Sequence, residues 1–230
     1  MLEILYQDEA IIAINKPHGL LVHRSAMAAN TNEYAVQILR DQIGQFVHPV
    51  HRLDRKTSGV LLFALDKEHL SKMQMQFEAQ SISKTYWAIL RGWSPQEGFI
   101  DYALTNDKGK QQEAQTAFKT LQHTEIAVPF GKHPTSRYSW VEATPQTGRM
   151  HQLRKHFAHI LHPIIGDRPH GCNKQNKLFL EHWVMNTMLL HAQKITFQHP
   201  VTLQNITLQA NPSSEFKRML QVLQFDDSVL

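Results

Sequence analysis

The 230-residue sequence has a single cysteine, Cys172. One thiol cannot close an internal disulfide, which excludes a stapled secreted scaffold and fits a reducing compartment. The sequence also lacks a Cys pair and an H-E-x-x-H string, although it has 15 histidines. His151, His156, His159, His162 and His170 fall close together, but few acids stand near them at ligand spacing, so no metal is expected. Long apolar runs are missing: Val60–Leu65 is far too short to span a bilayer, and no membrane association is expected. The opening, Met1–Lys16, carries Glu3, Asp8 and Glu9 and has no basic start before an apolar core, so no signal peptide is expected. Internal repeats, low-complexity runs and Gly/Ser linkers are absent. What remains is globular in composition, 42% hydrophobic and 19% charged. Residues 1–230 are expected to form one domain of a soluble, cytoplasmic protein.

The formal charge of +4 is too small for a histone-like tail and conceals an asymmetry. Between Gly131 and Lys177 stand Lys132, Arg137, Arg149, Arg154, Lys155, Arg168, Lys174 and Lys177, against only Glu142 and Asp167. The rest of the chain is slightly acidic. A second basic cluster, Arg52, Arg55 and Lys56, surrounds Asp54. Brought together, the two stretches would make a phosphate-binding face; apart, they are two solvated faces.

Leu2–Leu5 and Ile11–Ile14 read as a hairpin. Asn30 and Glu33 resemble a capping box ahead of Ala35, Ile38, Leu39 and Ile43 at helical spacing. Val60–Leu65 reads as a buried strand, and Asp66 as the N-cap of a helix with Leu70, Met73 and Phe77 inside. Thr85–Arg91, Gln115–Leu121 and Tyr138–Thr144 read as strands. After Gly148 a helix is expected to face Leu153, Phe157 and Ile160/Leu161 inward. Lys194–Gln198 and Thr202–Gln209 form a late hairpin, followed by a helix from Ser213 with Phe216, Leu220 and Leu223 inside. Many strands with hairpin-length links predict an α+β fold: a mixed, mainly antiparallel sheet flanked by helices.

The most informative stretch is His51-Arg52-Leu53-Asp54-Arg55-Lys56-Thr57-Ser58-Gly59. Thr57, Ser58 and Gly59 are turn formers, which puts Asp54 in a loop anchored by a buried strand, a common mounting for catalytic groups. Arg52, Arg55 and Lys56, if close in space, favour its ionised form. Such a carboxylate can act as nucleophile or base without a metal, or can simply cap a turn. His51 reads as a turn residue or an RNA-facing donor rather than a general base. In Thr147–His156, Arg149 and Arg154 can project toward one cleft, one to hold a phosphate and the other to fork onto a carboxylate; an ordinary basic helix face is the bland alternative. Tyr86 and Ala88 share one face of the Thr85–Arg91 strand. There Tyr86 is either core or a platform for a nucleobase.

Together these residues resemble the RluA-type pseudouridine synthases. The HRLDxxTSG string at His51–Gly59 is similar to that family's catalytic signature, and seven specified letters match a random window roughly once in 10⁹. Asn15–His23, Lys84–Gly92, Thr147–Arg154, His162–Asp167 and Leu190-His191-Ala192 resemble further family motifs. The resemblance implies that Asp54 is the essential aspartate, that Tyr86 stacks on the target uracil, and that Arg154 pairs with Asp54. It makes Arg52 the wedge that enters the helix stack as the uridine flips out. RNA contacts are expected from His51, Arg55, Lys16, Arg149, Lys155 and Leu190. It also implies no metal, no cofactor and no separate N-terminal RNA-binding domain, and a monomer is expected. Val22-His23-Arg24-Ser25, Arg40–Gln45 and His170-Gly171 with Gln175-Asn176 resemble the subgroup that acts on transfer RNA at position 65. Two positions depart from the wider family: Leu161 stands where a glycine usually precedes His-Pro, and His170 where a tyrosine is usual. A ribosomal-RNA substrate is the alternative within the family. Outside it stand a non-catalytic RNA-binding or chaperone module, against which Asp54, Tyr86 and Arg154 argue, and a metal-dependent nucleic-acid hydrolase, against which the missing carboxylate ligands argue.

Overall fold

In the computed structural model, residues 1–23 and 33–226 are described. Asn30 of the expected capping box, and Arg24 and Ser25 of the subgroup string, lie outside them. The elements in chain order are β1 (Glu3–Gln7), β2 (Ile11–Lys16), α1 (Ala35–Ile43), β3 (His48–Pro49), β4 (Ser58–Ala64) and α2 (Lys67–Glu78). Next come β5 (Ser83–Arg91), β6 (Glu97–Asp101), β7 (Leu104–Thr105), β8 (Gln111–Gln112), β9 (Gln115–Ile126) and β10 (Ser136–Pro145). The chain continues through α3 (Gln152–His159), α4 (Asn173–Trp183), β11 (Leu190–Gln198), β12 (Asn205–Gln209) and α5 (Ser214–Val222). These elements make the expected α+β fold, a mainly antiparallel sheet with helices, and fall into two compact units. Met1–Lys84 joins Ala192–Pro212 in one; Thr85–His191 joins Ser213–Leu230 in the other.

In the first unit β1 pairs with β2, β2 and β3 with β4, and β12 with β11, all antiparallel. All seven residues of β4 are buried, so the strand is apolar throughout rather than alternating. Asp66 caps α2 as its position suggests, its Oδ1 accepting the His69 N–H at 2.8 Å. Met73 is fully buried, and Leu70 and Phe77 pack on the cluster of Ile11, Val60, Leu62, Ile195 and Phe197. Gly59 cannot be replaced at this point of the fold. Its φ is +111°, and a Cβ would lie 2.1 Å from the Ala192 carbonyl oxygen.

The second unit is a meander, with β9 between β6 and β10 and β5 against the far edge of β10, all antiparallel. One side carries Trp87, Ile89, Tyr138 and Trp140 against Phe179 of α4 and Phe216, Met219 and Leu220 of α5. The other carries Ala88, Leu90, Val141 and Ala143 against Leu153 and Phe157 of α3. The expectation for Leu161 is corrected. Helix α3 closes at Ile160, and Leu161 takes a left-handed φ of +65° that leaves it 81% exposed. Helix α4 was not expected from the sequence at all.

Candidate active site

Asp54 heads a tight turn whose carbonyl accepts the Thr57 N–H at 3.0 Å, just before β4 enters the core. Leu53 is buried on one side of it and Thr57 on the other, while Asp54 is half-buried between them. The turn is tied to the loop after β2 by two reciprocal bonds. Gly19 N donates to the Arg55 carbonyl at 2.8 Å, and Arg55 Nε donates to the Gly19 carbonyl at 2.9 Å.

Lys16, expected among the RNA contacts, lies inside the fold instead, with none of its surface exposed. Its Nζ donates to the carbonyls of Pro17 (3.0 Å), Leu20 (2.8 Å) and Arg55 (3.2 Å). Three acceptors match the three donors of an ammonium group. Burial pulls its pKa down to about 7, and the negative charge of Asp54 opposes that shift. The lysine therefore fastens the Asp54 turn from beneath.

His51 also serves the scaffold. Its Nε2 accepts the Leu62 N–H at 3.2 Å, and its ring stacks on Phe77 with centroids 5.2 Å apart. Burial lowers its pKa to about 4, reinforced by the charge of Lys84 and opposed by a hydrogen bond to the Arg52 backbone. His18 is held at about 4 by burial and then by Lys16, Lys56 and Arg55, so both rings are neutral at physiological pH. Arg52 and Arg55 are exposed and Lys56 half-exposed, giving the turn a cationic rim.

In the second unit, Tyr86 of β5 is half-buried, opposite Ala143, on the face that packs toward α3. Leu190 is buried in the same cluster. The start of α3 is organised by Gln152, whose Oε1 accepts from Thr147 Oγ1 (2.7 Å) and Arg149 N (3.0 Å). Its Nε2 donates to the Gln115 carbonyl at 2.9 Å.

Arg149 and Arg154 take different partners, and Arg154 is the one that forks onto a carboxylate. Arg149 Nε donates to the Glu113 carbonyl at 2.9 Å, near the surface. Arg154 is buried, and its Nε and Nη2 donate to Asp167 Oδ2 and Oδ1 at 2.9 and 2.8 Å. Lys155 Nζ reaches the Thr105 carbonyl at 3.2 Å. Asp167 is in turn placed by Asn176, whose Nδ2 donates to its carbonyl at 2.7 Å.

Asp167, Gln152 and the internal role of Lys16 were missed in the sequence. All three stand inside stretches that resemble family motifs, Asn15–His23, Thr147–Arg154 and His162–Asp167, but nothing in those stretches gives their partners.

The clustered histidines take protein partners. His156 bonds Thr116 Oγ1 and the Tyr102 carbonyl, His162 the Arg91 carbonyl, and His151 Nδ1 lies 3.0 Å from His170 Nε2. Among the described residues no three His, Cys, Asp or Glu side chains form a group that could hold a metal. No helix among them is long and apolar enough to cross a membrane.

An acid on a pinned turn beside basic side chains, in an α+β scaffold, agrees with the comparisons with known proteins. The profile described as RNA pseudouridylate synthase matches residues 10–159, and the chain belongs to that family, whose members are isomerases acting on RNA. It is 44% identical to tRNA pseudouridine synthase C of Vibrio vulnificus, over 100% of this chain and 98% of that protein. Similarity to tRNA pseudouridine synthase C of Salmonella typhimurium is 46% identity, over 91% of this chain and 85% of that one. Among solved structures, Human RNA Pseudouridylate Synthase Domain Containing 4 superposes with a TM-score of 0.74 at 26% identity, covering 97% of this chain and 94% of that one.

Proposed function

We propose that this chain converts a uridine of transfer RNA, of the position-65 type, to pseudouridine, acting as a monomer in the cytoplasm. The observation that carries this reading is the mounting of Asp54: a half-buried carboxylate on a turn fastened by Lys16, Gly19 and Arg55. The similarity to proteins named tRNA pseudouridine synthase C extends over the whole chain and supports transfer RNA as the substrate class.

The reaction breaks the C1′–N1 bond of uridine, turns the uracil, and joins C1′ to C5. The hydrogen on C5 leaves as a proton and N1 gains one. Nothing is oxidised or reduced and no group is exchanged, so the chemistry asks for no cofactor. It asks for one anion beside the sugar and base, and Asp54 supplies it. Asp167 holds the Arg154 guanidinium in one orientation, and Arg154 in turn orients Asp54. Tyr86 stacks on the uracil. Arg52, exposed beside the turn, fills the place of the extruded nucleotide, whose unstacking costs about a few kcal/mol. Arg55, Arg149 and Lys155 contribute charge toward phosphates.

The test is a map of pseudouridines in total RNA from cells with and without the gene. Loss of one mark in transfer RNA is expected, and loss of a ribosomal mark instead would reject the substrate.

A further inference from the structure

The second unit carries a cavity of about 480 Å³ that the site above does not use. Its walls include Arg91, Ala158, Leu161, His162, His170 and Cys172. Its size lies in the range of pockets that seat small ligands. None of the residues lining it is acidic, and Arg91, exposed at the end of β5, brings a permanent positive charge. The carboxylate of Asp167, the acid of the neighbouring run, is already closed by Arg154. The cavity is therefore electrostatically matched to an anion.

Leu161 adds exposed apolar surface to the rim. A branched side chain at φ +65°, 81% exposed, pays left-handed strain and gains almost nothing from burial. It sits beside the half-buried Ala158 on the same wall, which makes a small apolar surface at the rim, while Pro163 is buried beneath it. Beyond the rim the surface continues as two guanidinium–aromatic stacks. Arg91 lies 5.5 Å from the Phe130 ring centre, and Arg137 lies 4.2 Å from that of Trp93, which is 44% exposed. Glu125 also pairs with Arg137, so the fixed charge is concentrated at Arg91. Aromatic and guanidinium planes of this kind stack nucleobases without regard to sequence.

Resting on the reading that the substrate is transfer RNA, we propose that the cavity seats a second nucleotide of that RNA, its base against Leu161 and Ala158 and its phosphate on Arg91. It is not the nucleotide that reacts, because Arg91 stands five residues along β5 from Tyr86, about 17 Å at the rise of a strand. The cavity wall also lies close to the Arg154 pair. The backbone N–H of His170 donates to Asp167 Oδ1 at 3.4 Å, so a seated nucleotide is one residue removed from that arginine's partner.

Cys172 makes the test direct, since it is the only thiol in the chain. Alkylation of the wild-type protein by N-ethylmaleimide is followed by mass spectrometry with and without saturating transfer RNA, and pseudouridine formation on the same RNA is read in parallel. Transfer RNA is expected to slow the alkylation about fivefold or more by covering the cavity. Arg91→Gln is expected to weaken RNA affinity about tenfold and to lower the slope of log affinity on log salt by about one. Leu161→Gly relieves its own backbone, so it folds at least as well. It is expected to weaken affinity about threefold or more at an unchanged salt slope, because a base contact releases no counterion. Equal alkylation rates with and without RNA, or both variants within about twofold of wild type, would overturn the proposal. Protection of Cys172 decides the cavity and turnover decides the substrate, each whatever the other shows.

Discussion

Arg154 and Asp167 form a buried, two-pronged ion pair, Nε to Oδ2 at 2.9 Å and Nη2 to Oδ1 at 2.8 Å, with side-chain exposures of 6% and 1%. Thirteen residues separate them, so the contact fixes the run after α3 back onto the helix. The pair holds the guanidinium plane in one orientation, which a lysine at 154 could not reproduce.

Removing the carboxylate should take from the buried guanidinium the partner that accepts from both Nε and Nη2. Asp167→Ala is expected to cost about 3–5 kcal/mol, measured by urea denaturation, and to lower pseudouridine formation even at temperatures where the variant stays folded. A stability within about 1 kcal/mol of wild type would show that the pair does not hold this region.

Leu161→Gly should act in the opposite direction on stability. A glycine adopts the left-handed backbone at no steric cost, and little burial is lost at 81% exposure. A gain of roughly 0.5–1 kcal/mol is expected in thermal or urea unfolding, after the extra entropy of glycine in the unfolded chain is counted. A loss of stability would mean that the side chain packs on something within the fold.

Lys16 gives a pH dependence of definite sign. Its folded pKa is about 7 against 10.5 when unburied, so between these values the unfolded chain holds the proton more often than the folded one. Stability should therefore rise with pH from about 7 toward 10, by roughly 1 kcal/mol per unit, and the burial penalty is full below 7. Lys84, also lowered by burial, acts in the same direction, so the measurement is a comparison with Lys16→Met. The variant should show a flatter stability profile between pH 7 and about 9.5. An identical profile would assign the slope to other groups.

Much of the scaffold was legible because single residues carry strong local signals. Asp66 ahead of Leu70, Met73 and Phe77 gives helix α2, and Ser213 ahead of Phe216 and Leu220 gives α5, each with its cap bond in place. Strands β9 and β10 run longer than their apolar stretches, since pairing extends them through Gln122, His123 and Arg137, which pattern alone leaves out. Helix α4 is hidden because its N-cap, Cys172, makes no side-chain cap bond and its first turn, from Asn173, holds no acid. Leu161 was misplaced because its apolar character continues the α3 pattern, while the backbone has already turned. Around the site, the string His51–Gly59 locates the Asp54 turn, but the groups that hold it are not written there. A lysine reads as surface, and only the fold shows that three carbonyls bury Lys16. Asp167 and Arg154 meet through tertiary packing, which no spacing rule encodes.

Closing C1′ onto C5 frees the hydrogen at C5, so tritium release from transfer RNA labelled at uridine C5 counts turnovers directly. Wild-type protein should release tritium from its target uridine. Asp54→Asn should release none above the enzyme-free level while binding the same RNA within about threefold of wild type, since the change removes an anion and leaves the turn and its basic rim in place. Release by Asp54→Asn at the wild-type rate would contradict the assignment of the chemistry to Asp54.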